Sequence, residues 1–543
     1  FMSLALIAQT PAAAADGDLD TSFSGDGWVI QEAHASGEDG WEDVKFDANG
    51  YLVAGGWWNN NGQTNKHSWR MMRLTGAGTS TDATKFDNNS DTTKFWSPRK
   101  DHISEVLIQA DGKHVAIGTA GTVTTGSGGD YQCTVTRHAA NGNLGNRDTD
   151  FGSGGVVLPD FNNSKDDWCK GGALQSDGKI IVVGYLKHGA SRFDATIGRL
   201  NTDGSWDTSF SSDGKVIEHF DNDDMFQAVA IQADGKIVAV GTSQYNHTAG
   251  NILLARYNTD GSLDTSFGGG DGWQVTDFSN QDRGWDVKIQ SNGKIVVAGL
   301  CDYANVSGDG RYGLVGRFNT DGSLDTSFSG DGKICQDHGG STDTYQTLEI
   351  QSNGKIIAAG YTNNGGNGSD VAAARFTTAG ALDTSFSGDG LFQLDTGNQH
   401  QEYIHGSSLT PDGQSILLVG QIVQASDGDA LMVQIAASSS AASITMTANG
   451  AFRKDGNNTT IATHEDAGVT AVPGGYNNGD TMNADHEYEY DFDVNGTDRT
   501  FSLVLGAQPP SNVVFDFTIG AWVGDDDHSA VNTTLGTDLV IKD

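Results

Sequence analysis

The chain is short of proline, of cysteine and of basic residues, and each shortage closes off a class of protein. Seven prolines stand against 74 glycines in 543 residues, and apolar residues do not recur at i, i+3 and i+4. Short alternating apolar runs take their place, as in a turn-dense, all-β globular chain. Only 32 Lys and Arg face 70 Asp and Glu, giving a formal charge of −38. Such a surface repels phosphate backbones and anionic lipid, so nucleic acid and membrane surfaces are poor partners, while divalent cations are attracted. The four cysteines, Cys133, Cys169, Cys301 and Cys335, form no C-x-x-C motif, which excludes a zinc ribbon or a redox pair. The similar gaps 133–169 and 301–335 predict two disulfides between sequence neighbours in an exported protein. There is no H-E-x-x-H, no G-x-S-x-G elbow, no Walker loop and no G-x-G-x-x-G before a helix. Carboxylates are too numerous for any glycosidase-like pair to be singled out. The expectation is a protein that is not an enzyme, with no catalytic residues and no cofactor beyond structural Ca²⁺.

What the chain has in abundance is repetition. The phrase "NTDGSLDTSFSGDGKI" at 319–334 returns as "NTDGSWDTSFSSDGKV" from Asn201, "NTDGSLDTSFGGGDGW" from Asn258, "TTAGALDTSFSGDGLF" from Thr377 and "DGDLDTSFSGDGWVI" from Asp16. A second anchor of the form "IQSNGKIVVAG" has its turn glycine at Gly50, Gly112, Gly178, Gly235, Gly293, Gly354 and Gly413, a period of about sixty residues. Each anchor is an Asp-Gly or Asn-Gly turn between apolar strands, hence a hairpin. The phenylalanines Phe23, Phe86, Phe151, Phe210, Phe267, Phe328 and Phe386 keep the same beat, as do Arg73, Arg137, Arg199, Arg256, Arg317 and Arg375, with Gln434 in the seventh place. One unit reads as four short strands, for example "GKVIEHF", "AVAIQAD", "GKIVAVG" and "NILLARYN". Seven such units predict a seven-bladed β-propeller. The opening phrase is then the connector between blades, with Asp and Asn folding its turns, Phe as an apolar plug, and Asp264 or Asp325 bonding backbone or the recurrent Arg.

The unit "RFNTDGSLDTSFSGDGK…IQSNGKIIAAG" resembles the delta-60 repeat of bacterial extracellular proteins, over roughly Asp16 to Ala436. The resemblance implies a secreted or surface-exposed β-propeller scaffold and carries no catalytic residues to transfer.

The ends differ from the middle. Residues 1–15 are uncharged and apolar, too short to span a bilayer as a helix, and read as an extended arm that inserts in another copy or packs in its own chain, or else as the remnant of a secretory signal. Residues 16–436 are the propeller, 437–441 a Ser/Ala linker, and 442–543 an immunoglobulin-like β-sandwich with a hairpin turning at Asn495-Gly496. Asp491, Asp493, Asn495 and Asp498 have the spacing of a Ca²⁺ loop, but the twelfth position is Ser502 rather than glutamate, and the hairpin reading is preferred.

These observations point first to a secreted or cell-surface structural protein. It would be the subunit of a filament built head-to-tail when Phe1, Met2, Leu4, Leu6 and Ile7 add a strand to a neighbour's sandwich; the partner is then a second copy of the chain. The alternative is a monomeric carbohydrate- or ligand-binding propeller of adhesin type, with Trp57 and Trp58 as the stacking or interface residues. A weaker third reading is a hydrolase using the propeller channel.

Overall fold

In the computed structural model the described residues run from 16 to 437, apart from the segments 32–37, 59–66, 77–100, 122–130, 141–145, 162–165, 189–191, 221–222, 245–249, 303–309, 364–367, 398–399 and 425–426, and then cover five strands further on. Two compact units divide at Ser438/Ser439. The described structure is all-β. In chain order the first unit holds β1 (Trp28–Gln31), β2 (Gly40–Phe46), β3 (Leu52–Trp58), β4 (Ser68–Leu74), β5 (His102–Ile108), β6 (His114–Gly121), β7 (Tyr131–His138), β8 (Val156–Val157) and β9 (Asp167–Leu174). It continues with β10 (Ile180–His188), β11 (Arg192–Leu200), β12 (Lys215–Glu218), β13 (Met225–Ile231), β14 (Ile237–Ser243), β15 (Asn251–Tyr257), β16 (Trp273–Thr276), β17 (Gln281–Ile289) and β18 (Ile295–Asp302). It ends with β19 (Arg311–Phe318), β20 (Lys333–Gln336), β21 (Thr342–Ile350), β22 (Ile356–Asn363), β23 (Ser369–Phe376), β24 (Leu391–Leu394), β25 (Gln401–Leu409), β26 (Ser415–Gln424) and β27 (Asp427–Ala436).

Small antiparallel sheets form from consecutive strands: β2–β4, β5–β8, β9–β12, β13–β16, β17–β20 and β21–β24, the last two touching through one parallel bridge between Arg311 and Thr342. One sheet joins the two ends of the unit, in the order β1-β27-β26-β25. The first strands β2, β5, β9, β13, β17, β21 and β25 adjoin one another in that order, and β25 returns to β2. The sheets therefore close a ring with these strands innermost.

Why the middle strands are apolar throughout is visible in "IVAV" of β14. Ile237 and Ala239 pack with Ile181, Val183 and Ile197 of the preceding sheet, while Val238 and Val240 pack with Val287, Val297 and Leu314 of the following one. Both faces of the strand are core, so the period-2 alternation divides apolar residues between two neighbours rather than between core and water.

The recurrent phrase is not the chain's link from sheet to sheet. Residues 319–332 join β19 to β20, which pair antiparallel in one sheet. The sequence unit and the sheet are thus out of phase by one strand: β12 ("KVIE") closes the sheet of β9–β11, and β13–β15 open the next. The phrase does bridge sheets, but through hydrogen bonds. Ser211 N donates to Asp260 O at 2.7 Å, Gly268 N to Asp321 O at 3.0 Å, Ser329 N to Ala379 O at 2.8 Å and Ser387 N to Asp16 O at 2.9 Å. The last of these closes the ring, together with the pairing of Trp28–Gln31 on β27 and an ion pair between Arg375 and Asp16. Phe23, Phe151, Phe210, Phe267, Phe328 and Phe386 are fully buried plugs; Phe86 lies outside the described residues.

Two disulfides are present. Cys133–Cys169 ties β7 to β9 of the next sheet, and Cys301–Cys335 ties β18 to β20. Among the described residues no helix is long and apolar enough to cross a membrane. The second unit, by itself, contains β28 (Ile444–Thr447) paired with β32 (Ser502–Leu505), and β29 (Gly450–Lys454) paired with β30 (Thr460–His464) and β31 (Tyr490–Phe492). The hairpin expected at Asn495-Gly496 lies outside the described residues, as do Phe1, Met2, Leu4, Leu6 and Ile7 of the apolar arm.

Candidate functional site in the inner ring

The seven innermost strands share one irregularity. Each skips a residue in its pairing with the second strand, a β-bulge, at Glu42, Ser104, Lys170, Gln227, Trp285, Gln346 and His405. The second strand answers with a glycine: Gly56, Gly118, Gly184, Gly241, Gly299, Gly360 and Gly420. A Cβ there would stand 1.8–2.2 Å from the carbonyl oxygen two residues before the bulge. This explains the terminal Gly of every "IVVAG" anchor: the bulged backbone presses on it.

Three residues before each bulge stands a buried acid: Asp39, Asp101, Asp167, Asp224, Asp282, Asp343 and Glu402, none more than 2% exposed. Three of these carboxylates visibly hold the crossover from one sheet to the next. Asp282 Oδ2 accepts from Phe278 N at 2.6 Å, Asp224 Oδ2 from Phe220 N at 2.8 Å and Asp343 Oδ2 from His338 N at 2.9 Å. Burial pushes Asp101 up to about 8, Glu402 to about 7 and Asp343 to about 6, against partial opposition from their hydrogen bonds.

The recurrent Asp and Arg form a second architectural set. Arg317 Nε donates to Asp325 Oδ2 at 2.6 Å and Arg317 Nη1 to Thr378 O at 2.6 Å, with its guanidinium 4.4 Å from the Phe328 ring centroid. Lys294 of the hairpin turn reaches the same carboxylate at 2.5 Å. Arg199–Asp207–Lys179, Arg256–Asp264–Lys236 and Arg375–Asp383–Lys355 repeat it. In the closing sheet Gln434 Nε2 and Ser415 Oγ serve Asp20 instead, at 2.8 and 2.7 Å.

Repetition therefore marks architecture, and its failure marks the candidate site. Acid, glycine, phenylalanine and arginine recur around the ring, but the bulge residues do not: carboxylate, hydroxyl, ammonium, two amides, indole and imidazole. All seven are half-buried, each directly after a buried residue. His405 Nδ1 lies 3.3 Å from Gln346 Oε1 and 4.0 Å from Glu42 Oε2. Lys170 Nζ lies 3.3 Å from His102 Nε2 on the neighbouring strand. Two residues before Lys170, half-buried Trp168 stacks on Tyr185 at 4.9 Å and meets Tyr131 at 5.2 Å.

Deeper along the same strands lies an ionic layer. Lys45 Nζ contacts Asp43 at 2.7 Å and Glu105 at 3.4 Å, and Lys288 Nζ contacts Glu349 at 3.5 Å. Asp43 and Asp286 also accept the backbone N–H of Val106 and Leu348 on the adjoining first strands, at 2.8 and 2.9 Å. Burial opposes the charging of both lysines, and the surrounding carboxylates more than offset it, so both titrate above the ordinary lysine range.

Of the residues singled out from sequence, Trp57 is buried at 7% exposure, stacked on His67 and edge-on to His405, behind the ring; Trp58 is half-buried at the end of β3. Asp491 lies in β31, while Asp493, Asn495 and Asp498 are outside the described residues. Among the described residues no group of three or more His, Cys, Asp or Glu is arranged to hold a metal ion. Sequence reasoning missed the ring itself. Its signal lies in the residue three positions after each buried acid, where the repeats disagree, and it becomes readable only once strand pairing aligns those acids.

Four segments, residues 175–210, 232–267, 290–328 and 351–386, match the family described as a domain of unknown function (DUF5122) beta-propeller. These matches support repeats of a kind related to the delta-60 propellers, short of the delta-60 repeat itself. Among curated proteins none matches the chain. Similar solved structures include a protein of unknown function from Dyadobacter fermentans, 10% identical with 75% of this chain and 97% of that one covered at a TM-score of 0.41. An ulvan lyase of a polysaccharide lyase family is 12% identical, covering 79% and 96% at 0.38, and a Bacillus subtilis arabinanase is 12% identical, covering 49% and 92% at 0.28. The last two correct the expectation of a non-enzyme: neighbours of this chain include enzymes, and catalysis is not excluded. Likenesses this distant transfer no chemistry.

Proposed function

We propose that the first unit is a seven-bladed β-propeller of an exported protein, and that it binds a saccharide in the inner ring, at the end where the innermost strands begin. The observation that carries this reading is the set of seven half-buried bulge residues whose chemistry varies while the positions around them repeat. Amides (Gln227, Gln346) serve as both donors and acceptors for sugar hydroxyls, and indole and phenol rings (Trp285, Trp168, Tyr185) offer faces on which a pyranose stacks. The two disulfides suit an oxidising compartment outside the cytosol. A filament built by strand donation draws on residues 1–15 and on the second unit; the described ring favours ligand binding instead.

The test is affinity electrophoresis through gels containing acidic and neutral polysaccharides. Retardation by at least one of them is expected, and Trp285→Ala abolishes it while the melting temperature stays within a few degrees. A folded wild-type protein that no polysaccharide retards overturns the reading.

A further inference from the structure

Three lysines stand on the innermost strands, and they are not equivalent. Lys45 and Lys288 each meet a carboxylate within 3.5 Å. Lys170, at the bulge of β9, has His102 Nε2 at 3.3 Å as its close polar neighbour, and Glu42 reaches it only as a more distant charge. An ammonium group beside an imidazole, with no carboxylate in direct contact and Glu42 only at longer range, is incompletely compensated, in a chain whose net charge is −38. Burial lowers the titration of Lys170, which Glu42 only partly opposes, in contrast to the other two. The amine is thus held half-buried where an incoming anion would complete an ion pair, and Trp168, two residues earlier on the same strand, belongs to an aromatic cluster with Tyr185 and Tyr131.

We infer that Lys170, with His102, is the subsite for the carboxylate of an acidic saccharide, so that the ligand of the inner ring is a uronate-containing chain rather than a neutral glycan. This rests on the saccharide reading of the ring. A uronate carboxylate on Lys170 Nζ gives the amine the partner that Asp43 and Glu349 give the other lysines, and the pyranose face lies within reach of the aromatic cluster. A hydrogen bond to a charged group contributes roughly 1.5–3 kcal/mol, which corresponds to a loss of about 10- to 150-fold when it is removed.

The experiment is isothermal titration of the full chain with polygalacturonate, alginate and hyaluronan, beside neutral galactan and dextran. At least one uronate polymer is expected to bind more tightly than either neutral polymer. Lys170→Gln weakens it tenfold or more, and Lys170→Arg retains most of the affinity. Equal affinity of Lys170→Gln and wild type, or neutral polymers binding as tightly as uronates, overturns the uronate assignment while leaving the saccharide reading in place. Binding of none of the five overturns both. Should Lys170→Gln fail to fold, Lys170→Arg and His102→Gln carry the comparison: unchanged uronate affinity in His102→Gln, with galactan bound equally well, overturns the assignment.

Discussion

At the scale of single residues, the fold is held by a polar knot that the repeat writes again and again. Arg317 is 5% exposed, bonded at once to Asp325 and to a carbonyl of the next sheet, and laid over Phe328. Removing its charge leaves Asp325 with Lys294 and Ser327 and takes the donor from the Thr378 carbonyl. Arg317→Gln is therefore expected to cost about 3 kcal/mol, because a buried pair broken on one side leaves its partner desolvated. Urea denaturation checks this, and a loss under 1 kcal/mol would assign the knot a minor role. The natural Gln434 keeps the backbone bond that the arginines make, here to the Gly27 carbonyl, and differs in that Asp20 receives neutral donors from Gln434 and Ser415. The carboxylates of the knot titrate low. Asp207, Asp264 and Asp325 are held below the usual carboxylate range and Asp383 down to about 2, since donors from serine, lysine and arginine outweigh burial.

At the scale of elements, the bulge and its facing glycine are one device. Adding a Cβ at Gly299 places it 1.8 Å from Arg283 O, a backbone atom that cannot turn aside. Gly299→Ala is expected to destabilise by roughly 3 kcal/mol, read as a lower urea midpoint, whereas Gly330→Ala, where nothing lies within 4 Å, costs little more than its positive φ demands. Here the sequence was partly legible. Hairpins at Gly235, Gly293 and Gly354 and the plugs Phe210, Phe267 and Phe328 follow from turn chemistry and apolar spacing, and the structure contains them. The phase of the unit was not legible. A period of about sixty residues is the same wherever counting begins, so nothing in "GKVIEHF" says that β12 pairs backward with β11 rather than forward with β13. The inner ring was hidden for a related reason. A bulge is a mismatch between two strands, and Lys170 or Trp285 read alone is an ordinary strand residue. Seven buried acids were equally invisible among 70 carboxylates until pairing aligned them.

At the scale of the whole molecule, closure depends on residues from the two ends of the first unit. Trp28–Gln31 cover the edge of β27, and Asp16 meets Arg375 and Ser387. Deleting residues 1–31 exposes that edge and is expected to give a protein that aggregates at concentrations where the full chain does not, seen by light scattering. Deleting residues 1–15 leaves the closing contacts intact, and no such aggregation is expected. The pH dependence of stability also belongs to this scale. Carboxylates held low, such as Asp383, stabilise above the ordinary carboxylate range, and their contribution is lost as pH falls toward about 2. Acids pushed up, namely Asp101, Glu402 and Asp343, contribute fully below the ordinary range, and that contribution is lost as pH climbs through about 6 to 8. Stability is expected to peak near about pH 5, and the denaturant midpoint measured from pH 3 to pH 9 checks it; a midpoint that rises steadily to pH 8 contradicts the assignment of the buried ring.

The most direct measurement is a crystal structure of the protein soaked with an acidic oligosaccharide that binds in titration. The sugar is expected inside the ring of first strands, against Trp285 and Gln346 with its carboxylate on Lys170. An ordered sugar bound only on the outer strands, with the ring empty, would contradict the account.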